Sequence, residues 1–235
     1  MDTEYEAGVE MGRFFAEKGI KTAAIYGAFI PNPMHVYRVA GVLSGLGLSY
    51  DGATEEGEVV GKIFTDQSVD LSKISGDIQI VSYLQGYGDT TTDEINAAIQ
   101  AKPEAFISVG MATTFFTQQL NAAGIEFSDI DSFTQSNGEA ITNGKLVYLA
   151  GKYSSSVGPA FALVLNAING NVIRDEQGNA VSLSQNYQVA TDEATFDEFY
   201  KSDNGDNPIY NKETLDQIIG ESVTFDEINE LVTLK

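Results

Sequence analysis

Apolar residues come in short bursts along this chain, and the spacing within each burst switches between helical and strand periods. Between Tyr5 and Lys18, Val9, Met11, Phe14 and Phe15 recur at near-helical spacing, and Gly19 stops the run, which predicts a helix. Lys21 to Phe29 (KTAAIYGAF) is a short apolar stretch suited to a buried parallel strand, and Pro31 and Pro33 then mark a loop. From Met34 to Leu46 one helical face carries Val36, Val39, Ala40, Leu43 and Leu46. Further strands are expected at Glu58 to Phe64, Ile78 to Leu84, Glu104 to Val109 and Ile130 to Phe133. Helices are expected between them at Thr92 to Ala101, behind the capping box Thr91 to Glu94, and at Ala112 to Ala123, closed by Gly124.

Strands alternating with helices up to about residue 135 imply parallel crossovers. The fold class is α/β, a three-layer sandwich with a parallel sheet. Beyond it lie a strand at Lys145 to Ala150, a long helix from Val157 to Ala167, a hairpin at Asp175 to Asn179 and a polar linker at Ser202 to Asn207. Two short helices close the chain. The string TFDE occurs at Thr195 to Glu198 and again at Thr224 to Glu227, and two capping boxes account for the repeat without any duplication.

Composition narrows the chemistry. The 235 residues carry 13 Lys and Arg against 34 Asp and Glu, a net charge of −21, so the surface repels phosphate backbones and nucleic acid is not an expected partner. With no cysteine and one histidine, thiol nucleophiles, disulfides and sites needing two histidines are all excluded. Asp203, Asn204, Asp206 and Asn207 crowd Gly205 with oxygen ligands, but the spacing of a calcium loop is missing and no metal is expected. There is no Ser-His-Asp set, phosphate-binding loop or GxGxxG, so the chain reads as a non-enzyme that needs no cofactor.

The order of elements, RVAGVLSGL at Arg38 to Leu46, and the block GKLVYLAGKYSSSVGPAFALVLNAINGN together resemble the periplasmic-binding-protein type I superfamily. These are the substrate-binding proteins of bacterial ABC importers. Arg38 with Gly41 and Val42, Pro103 before AFISVG, Ala122 to Ile125, and Asn169-Gly170 after the long helix match its pattern in order over residues 4 to 172. The resemblance implies a second α/β lobe over residues 4–144. A crossover strand and helix at 145–172 would belong to the first lobe, a return strand and helix would occupy 173–202, and an extension 203–235. It further implies that a first lobe of about 100 residues, with any export signal, would precede residue 4. The 155–169 helix would then lack its usual cover and stand ready for self-association.

Ligands of open parallel sheets bind beyond the carboxyl ends of the strands. The loops there offer Phe29, Asn32, His35, Tyr83, Tyr87, Gly110, Thr134, Gln135 and Lys152 as candidate ligand-binding residues. Phe29 and Tyr87 can stack on a ring. The matching family arginine is structural, so Arg38 would buttress the loop, with the direct contact two residues earlier at Val36. Where sugar binders of the superfamily carry acidic residues, this chain has Val109, Gly110 and Met111, then Thr134 and Gln135. The glycine and Lys152 look more like the nucleoside-binding branch, and the lysine suits either an anionic ligand or a salt bridge between lobes. The expected function is solute binding for an ABC-type importer, with a membrane permease as partner, a sugar-like or nucleoside-like ligand and an extracytoplasmic location. The alternative is the ligand-sensing domain of a transcription regulator or receptor.

Overall fold

A computed structural model describes residues 2–87 and 89–233. Its N-terminal helix α1 (Asp2–Glu17) leads into strand β1 (Thr22–Tyr26) and then helix α2 (Pro33–Gly45). Asn32 caps α2, its side chain accepting from the Met34 amide at 3.0 Å, and Pro33 opens the helix where a missing N–H costs nothing. β1 is shorter than its apolar run suggests because Ala28 takes a left-handed conformation (φ 53°) that ends the strand. Strand β2 (Ser49–Tyr50), helix α3 (Glu56–Asp66) and strand β3 (Ile74–Ser75) form a small side unit in which β2 and β3 pair antiparallel.

The strand expected at Glu58 to Phe64 is therefore helix. Val59, Val60 and Ile63 are buried along one side of α3 while Glu58 and Lys62 face outward, a 3.6-residue period that a short apolar run does not distinguish from a strand. Strand β4 (Gln79–Leu84) comes next, followed by helix α4 (Asp89–Gln100), which begins before the expected capping box. The Thr91 side chain of that box lies outside the described residues. After β5 (Ala105–Ser108) the expected single helix is two pieces, α5 (Ala112–Phe115) and α6 (Thr117–Ala123), which break at Phe116. Strand β6 is Glu126–Ile130, upstream of the expected Ile130 to Phe133, because the buried Ser128 and Asp129 interrupt its apolar pattern.

Helix α7 (Gln135–Thr142) leads to β7 (Leu146–Gly151) and α8 (Val157–Ile168). The short strand β8 (Gln188–Ala190) and helices α9 (Glu193–Asn204), α10 (Lys212–Asp216) and α11 (Phe225–Thr233) follow. Thr224 and Glu227 form a reciprocal capping box at α11. The earlier TFDE does not. α9 is capped by Asp192, whose carboxylate accepts from the Thr195 amide at 2.8 Å, and Ser202 to Asn204, expected as linker, complete that helix.

The main sheet runs β4-β1-β5-β6-β7-β8, all parallel except β8, which is antiparallel to β7. Ile25 of β1 sits between Tyr83 of β4 and Ile107 of β5. α1 and α2 lie together on one face, and α4, α6 and α7 cover β4, β6 and β7. Wholly buried β5 fits a sheet covered on both sides. α1 and α2 approach backbone to backbone: a methyl group on Gly8 or Gly12 would run into the carbonyl oxygens of Arg38 or Val42, and one on Gly41 or Gly45 into those of Tyr5 or Val9. Two glycine pairs at i,i+4 spacing thus bring residues 5–13 of α1 against residues 38–45 of α2.

Candidate functional site

β1 and β5 are neighbours, yet the chain leaves β1 toward β4 on one side and leaves β5 toward β6 on the other. A crevice opens at their carboxyl ends where the connections diverge. The close α1–α2 packing places Glu4 and Arg38 at its wall. Arg38 donates from Nε to Glu4 Oε2 (2.7 Å), from Nη1 to the Val109 carbonyl (2.9 Å) and from Nη2 to the Tyr187 hydroxyl (2.5 Å). Tyr187 in turn donates to Glu4 Oε2 at 2.7 Å, and Lys152 Nζ donates to Glu4 Oε1 at 3.0 Å while lying 4.3 Å from the Tyr187 ring centre. Burial alone would push the Glu4 carboxyl up, but Arg38, Tyr187 and Lys152 outweigh it and hold it below the ordinary value. Two cations thus share one carboxylate in a four-residue node.

The opposite wall is the β5 loop. Arg38 holds Val109, and Asp129 holds the rest: its carboxylate accepts from Ser108 Oγ (3.0 Å), the Thr113 amide (2.8 Å) and Thr113 Oγ1 (2.5 Å). Asp129 is wholly buried, and burial pushes its carboxyl up to about 6 despite these donors. Between the walls lies a groove of about 450 Å³ lined by Met34, His35, Gly110, Met111, Asp131 and Ser132 together with the node.

His35 Nδ1 lies 2.9 Å from both the amide nitrogen and the carbonyl oxygen of Phe29, so the ring is fixed through that edge and Nε2 is left to the groove. Burial lowers its pKa, so the ring is neutral. Nε2 lies beside Gly110, 3.8 Å from where a methyl group on that glycine would stand. The groove can therefore offer one nitrogen of a neutral imidazole next to an open backbone, flanked by an ion cluster whose one excess positive charge is offset in the lining by Asp131.

Of the residues singled out in the sequence, His35, Gly110 and Lys152 meet in this groove. Lys152 is engaged by Glu4. Phe29 is half exposed and tied to His35 through its backbone. Tyr87 is exposed farther along the same end, its ring 5.3 Å from Phe115. Asn32 and Thr134 serve as helix caps. Gln135 lies in a different groove between α7 and α9, where it donates to Glu139 at 3.1 Å. Tyr83 turns inward over Gly27 with its hydroxyl buried and unpaired, and Val36, expected at the contact position, is wholly buried. Asp203, weighed above as an oxygen ligand, accepts from the Ser154 and Ser155 amides at 2.8 and 2.9 Å. Among the described residues no cluster of acidic or histidine side chains could hold a metal ion, and no helix is long and apolar enough to cross a membrane.

Glu4, Asp129, Asp131 and Tyr187 went unread in the sequence. Glu4 is one acid among several in MDTEYEAGVE, and Tyr187 lies in a stretch without periodicity, so neither announces its partner.

No family model and no curated protein matches the chain. Solved structures do. An ABC transporter periplasmic solute binding protein from Actinobacillus succinogenes with bound D-allose is 15% identical and superimposes with a TM-score of 0.57, covering 84% of this chain and 61% of that one. A twin-arginine translocation pathway signal protein from Burkholderia phytofirmans gives 15%, 0.60, 89% and 61%. The fructose binding periplasmic domain of a hybrid two component system gives 13%, 0.57, 85% and 60%. The chain has the type I periplasmic-binding-protein fold, a mostly parallel sheet flanked by helices, and spans about three fifths of the length of these structures.

Proposed function

We propose that this chain is the ligand-binding lobe of a solute-binding protein that serves an ABC-type importer outside the cytoplasm, and that it takes a small uncharged polar molecule, sugar-like or nucleoside-like, in the groove between β1 and β5. The observation that carries this reading is the charge balance of the groove: Glu4 and Asp131 stand against Arg38 and Lys152, and both cations are already bound to Glu4, so an ionic ligand would have to break a pair already made. A neutral ligand meets His35 Nε2, the open face of Gly110 and the half-exposed ring of Phe29 instead. That the D-allose-bound protein shares the fold supports the sugar-like end of the range. A permease would read occupancy through closure of this lobe on a second one. The second reading, a sensor domain, is favoured by the likeness to the fructose binding domain of a two component system, and it uses the same groove.

The test is a thermal-shift screen of sugars, cyclitols, nucleosides and amino acids, repeated on Gly110→Val. Binding to the native state alone raises Tm. A methyl group on Gly110 would meet Arg38 Nη1, Ile130 O and His35 Nε2 at ordinary contact distances of 3.6 to 3.8 Å, and the circular dichroism spectrum of the variant checks that the larger valine side chain leaves the fold intact. A sugar or nucleoside should raise the Tm of the parent and leave that of the variant unchanged. No response to any sugar, cyclitol or nucleoside at millimolar concentration would sink the proposal.

A further inference from the structure

Helix α8 presents Val157, Phe161, Val164 and Ile168 on one side, 70%, 59%, 55% and 75% exposed. The opposite side is fixed: Ala162 and Asn166 are fully buried, Ala162 packs with Ile218 and Ile228, and Asn166 exchanges hydrogen bonds with the Ile218 carbonyl and the Gly220 amide, both at 2.9 Å. The helix cannot roll to hide its outer stripe without breaking that anchor. In a chain of net charge −21, the whole segment from Tyr153 to Ile173 carries no charged side chain. Here two copies can approach without repulsion.

The spacing of the stripe says what fits it. The four positions are separated by four, three and four residues, so the pattern reads the same in both directions about the middle of the helix. A two-fold axis through that midpoint sets Val157 against Ile168 of the partner subunit and Phe161 against Val164 of the partner subunit, and the reverse, so that every large side chain meets another. The same 4-3-4 spacing is that of a helix-pairing seam. An antiparallel pair also opposes the two helix dipoles favourably. With Val172, itself 52% exposed, the stripe offers on the order of 500 Å² of apolar surface. Doubled across an axis, that reaches about the 1,000 Å² at which specific association begins. We propose that α8 is a homodimerisation surface, in which two copies of this chain pair their α8 helices antiparallel about a two-fold axis between Phe161 and Val164.

Sedimentation equilibrium tests the association. The apparent mass should rise from 25.3 kDa toward twice that value over about 1 to 100 µM, the range expected of so small an interface. Phe161→Glu should stay at the monomer mass with an unchanged circular dichroism spectrum. Because the chain has no cysteine, disulfide trapping reads the register directly. A mixture of Phe161→Cys and Val164→Cys chains should cross-link faster than either chain alone, and so should Val157→Cys mixed with Ile168→Cys. A parent chain that is monomeric at 100 µM, a Phe161→Glu variant that still dimerises, or self-linking as fast as mixed linking would each overturn the proposal. None of these outcomes depends on whether the β1–β5 groove binds a ligand.

Discussion

Asp129 carries a carboxylate that no lysine or arginine among the described residues reaches; hydroxyls and the Thr113 and Ile130 amides hold it instead, at the end of β6. Its pKa, pushed up by burial to about 6 against 3.8 in the unfolded chain, means the folded state keeps its proton longer. Below pH 3.8 both states are protonated and the group is neutral in its effect. As pH rises from about 4 to 6 the unfolded state releases its proton first, so this group's contribution turns against folding and is constant beyond. Glu4, with a lowered pKa, works in the opposite sense, supporting the fold above its ordinary value of 4.5 and losing that support as pH falls. Asp129→Asn should therefore gain stability relative to the parent between pH 4 and 7, by up to about 3 kcal/mol. Urea unfolding of both chains at several pH values measures the difference, and parallel profiles would refute it. The same residue explains a misread strand. A charge in the middle of EFSDI lowers any strand expectation, and only the Ser108 and Thr113 donors, invisible in sequence, make its burial tolerable.

At the scale of elements, the α1–α2 contact and helix α3 use glycine for opposite reasons. Gly8 faces the Arg38 carbonyl with no room for a side chain, whereas Gly57 has open space around its Cβ position. Gly8→Ala should then destabilise the protein by about 1 to 3 kcal/mol through overpacking, while Gly57→Ala should stabilise it by about 0.5 to 1 kcal/mol because alanine favours a helix. Thermal or denaturant midpoints of the two variants should move in opposite directions; a shared direction would contradict the packing described. Helix α2 was readable because its apolar residues span a full 13-residue element between a proline loop and glycines. α3 was not, because Val59, Val60, Ile63 and Phe64 within seven residues suit either period. The glycines of α1 and α2 stood at i,i+4 in the sequence all along, but a lone helix gives them only a propensity cost. Their meaning needs the partner helix.

For the whole molecule, the parallel sheet followed from strand-helix alternation, and the crevice at its carboxyl ends followed from that topology alone. Which loop residues face the crevice did not follow. Tyr83 and Thr134 belong to the expected segments, yet one turns inward and the other caps α7, since side-chain direction at a strand end depends on a residue or two of register. A return strand was expected within residues 173–202 from the resemblance alone; its antiparallel pairing as β8 and its delivery of Tyr187 were not readable from a stretch without an apolar period.

The node around Glu4 also has a place in time. It joins residues separated by 34, 148 and 183 positions: the Arg38 bond needs only α1 and α2, whereas the Lys152 and Tyr187 bonds cannot close until the exit of β7 and the entry to β8 are also in place. Contacts of such sequence separation carry the largest loop-closure cost and form on the native side of the folding barrier. Tyr187→Phe, which removes only long-range bonds of the node, should accordingly leave the refolding rate unchanged and accelerate unfolding by the full loss of stability, which places that closure among late-forming contacts. In a chevron plot only the unfolding arm should rise; a slowed folding arm would instead put the joining of the chain's two ends at the start of folding.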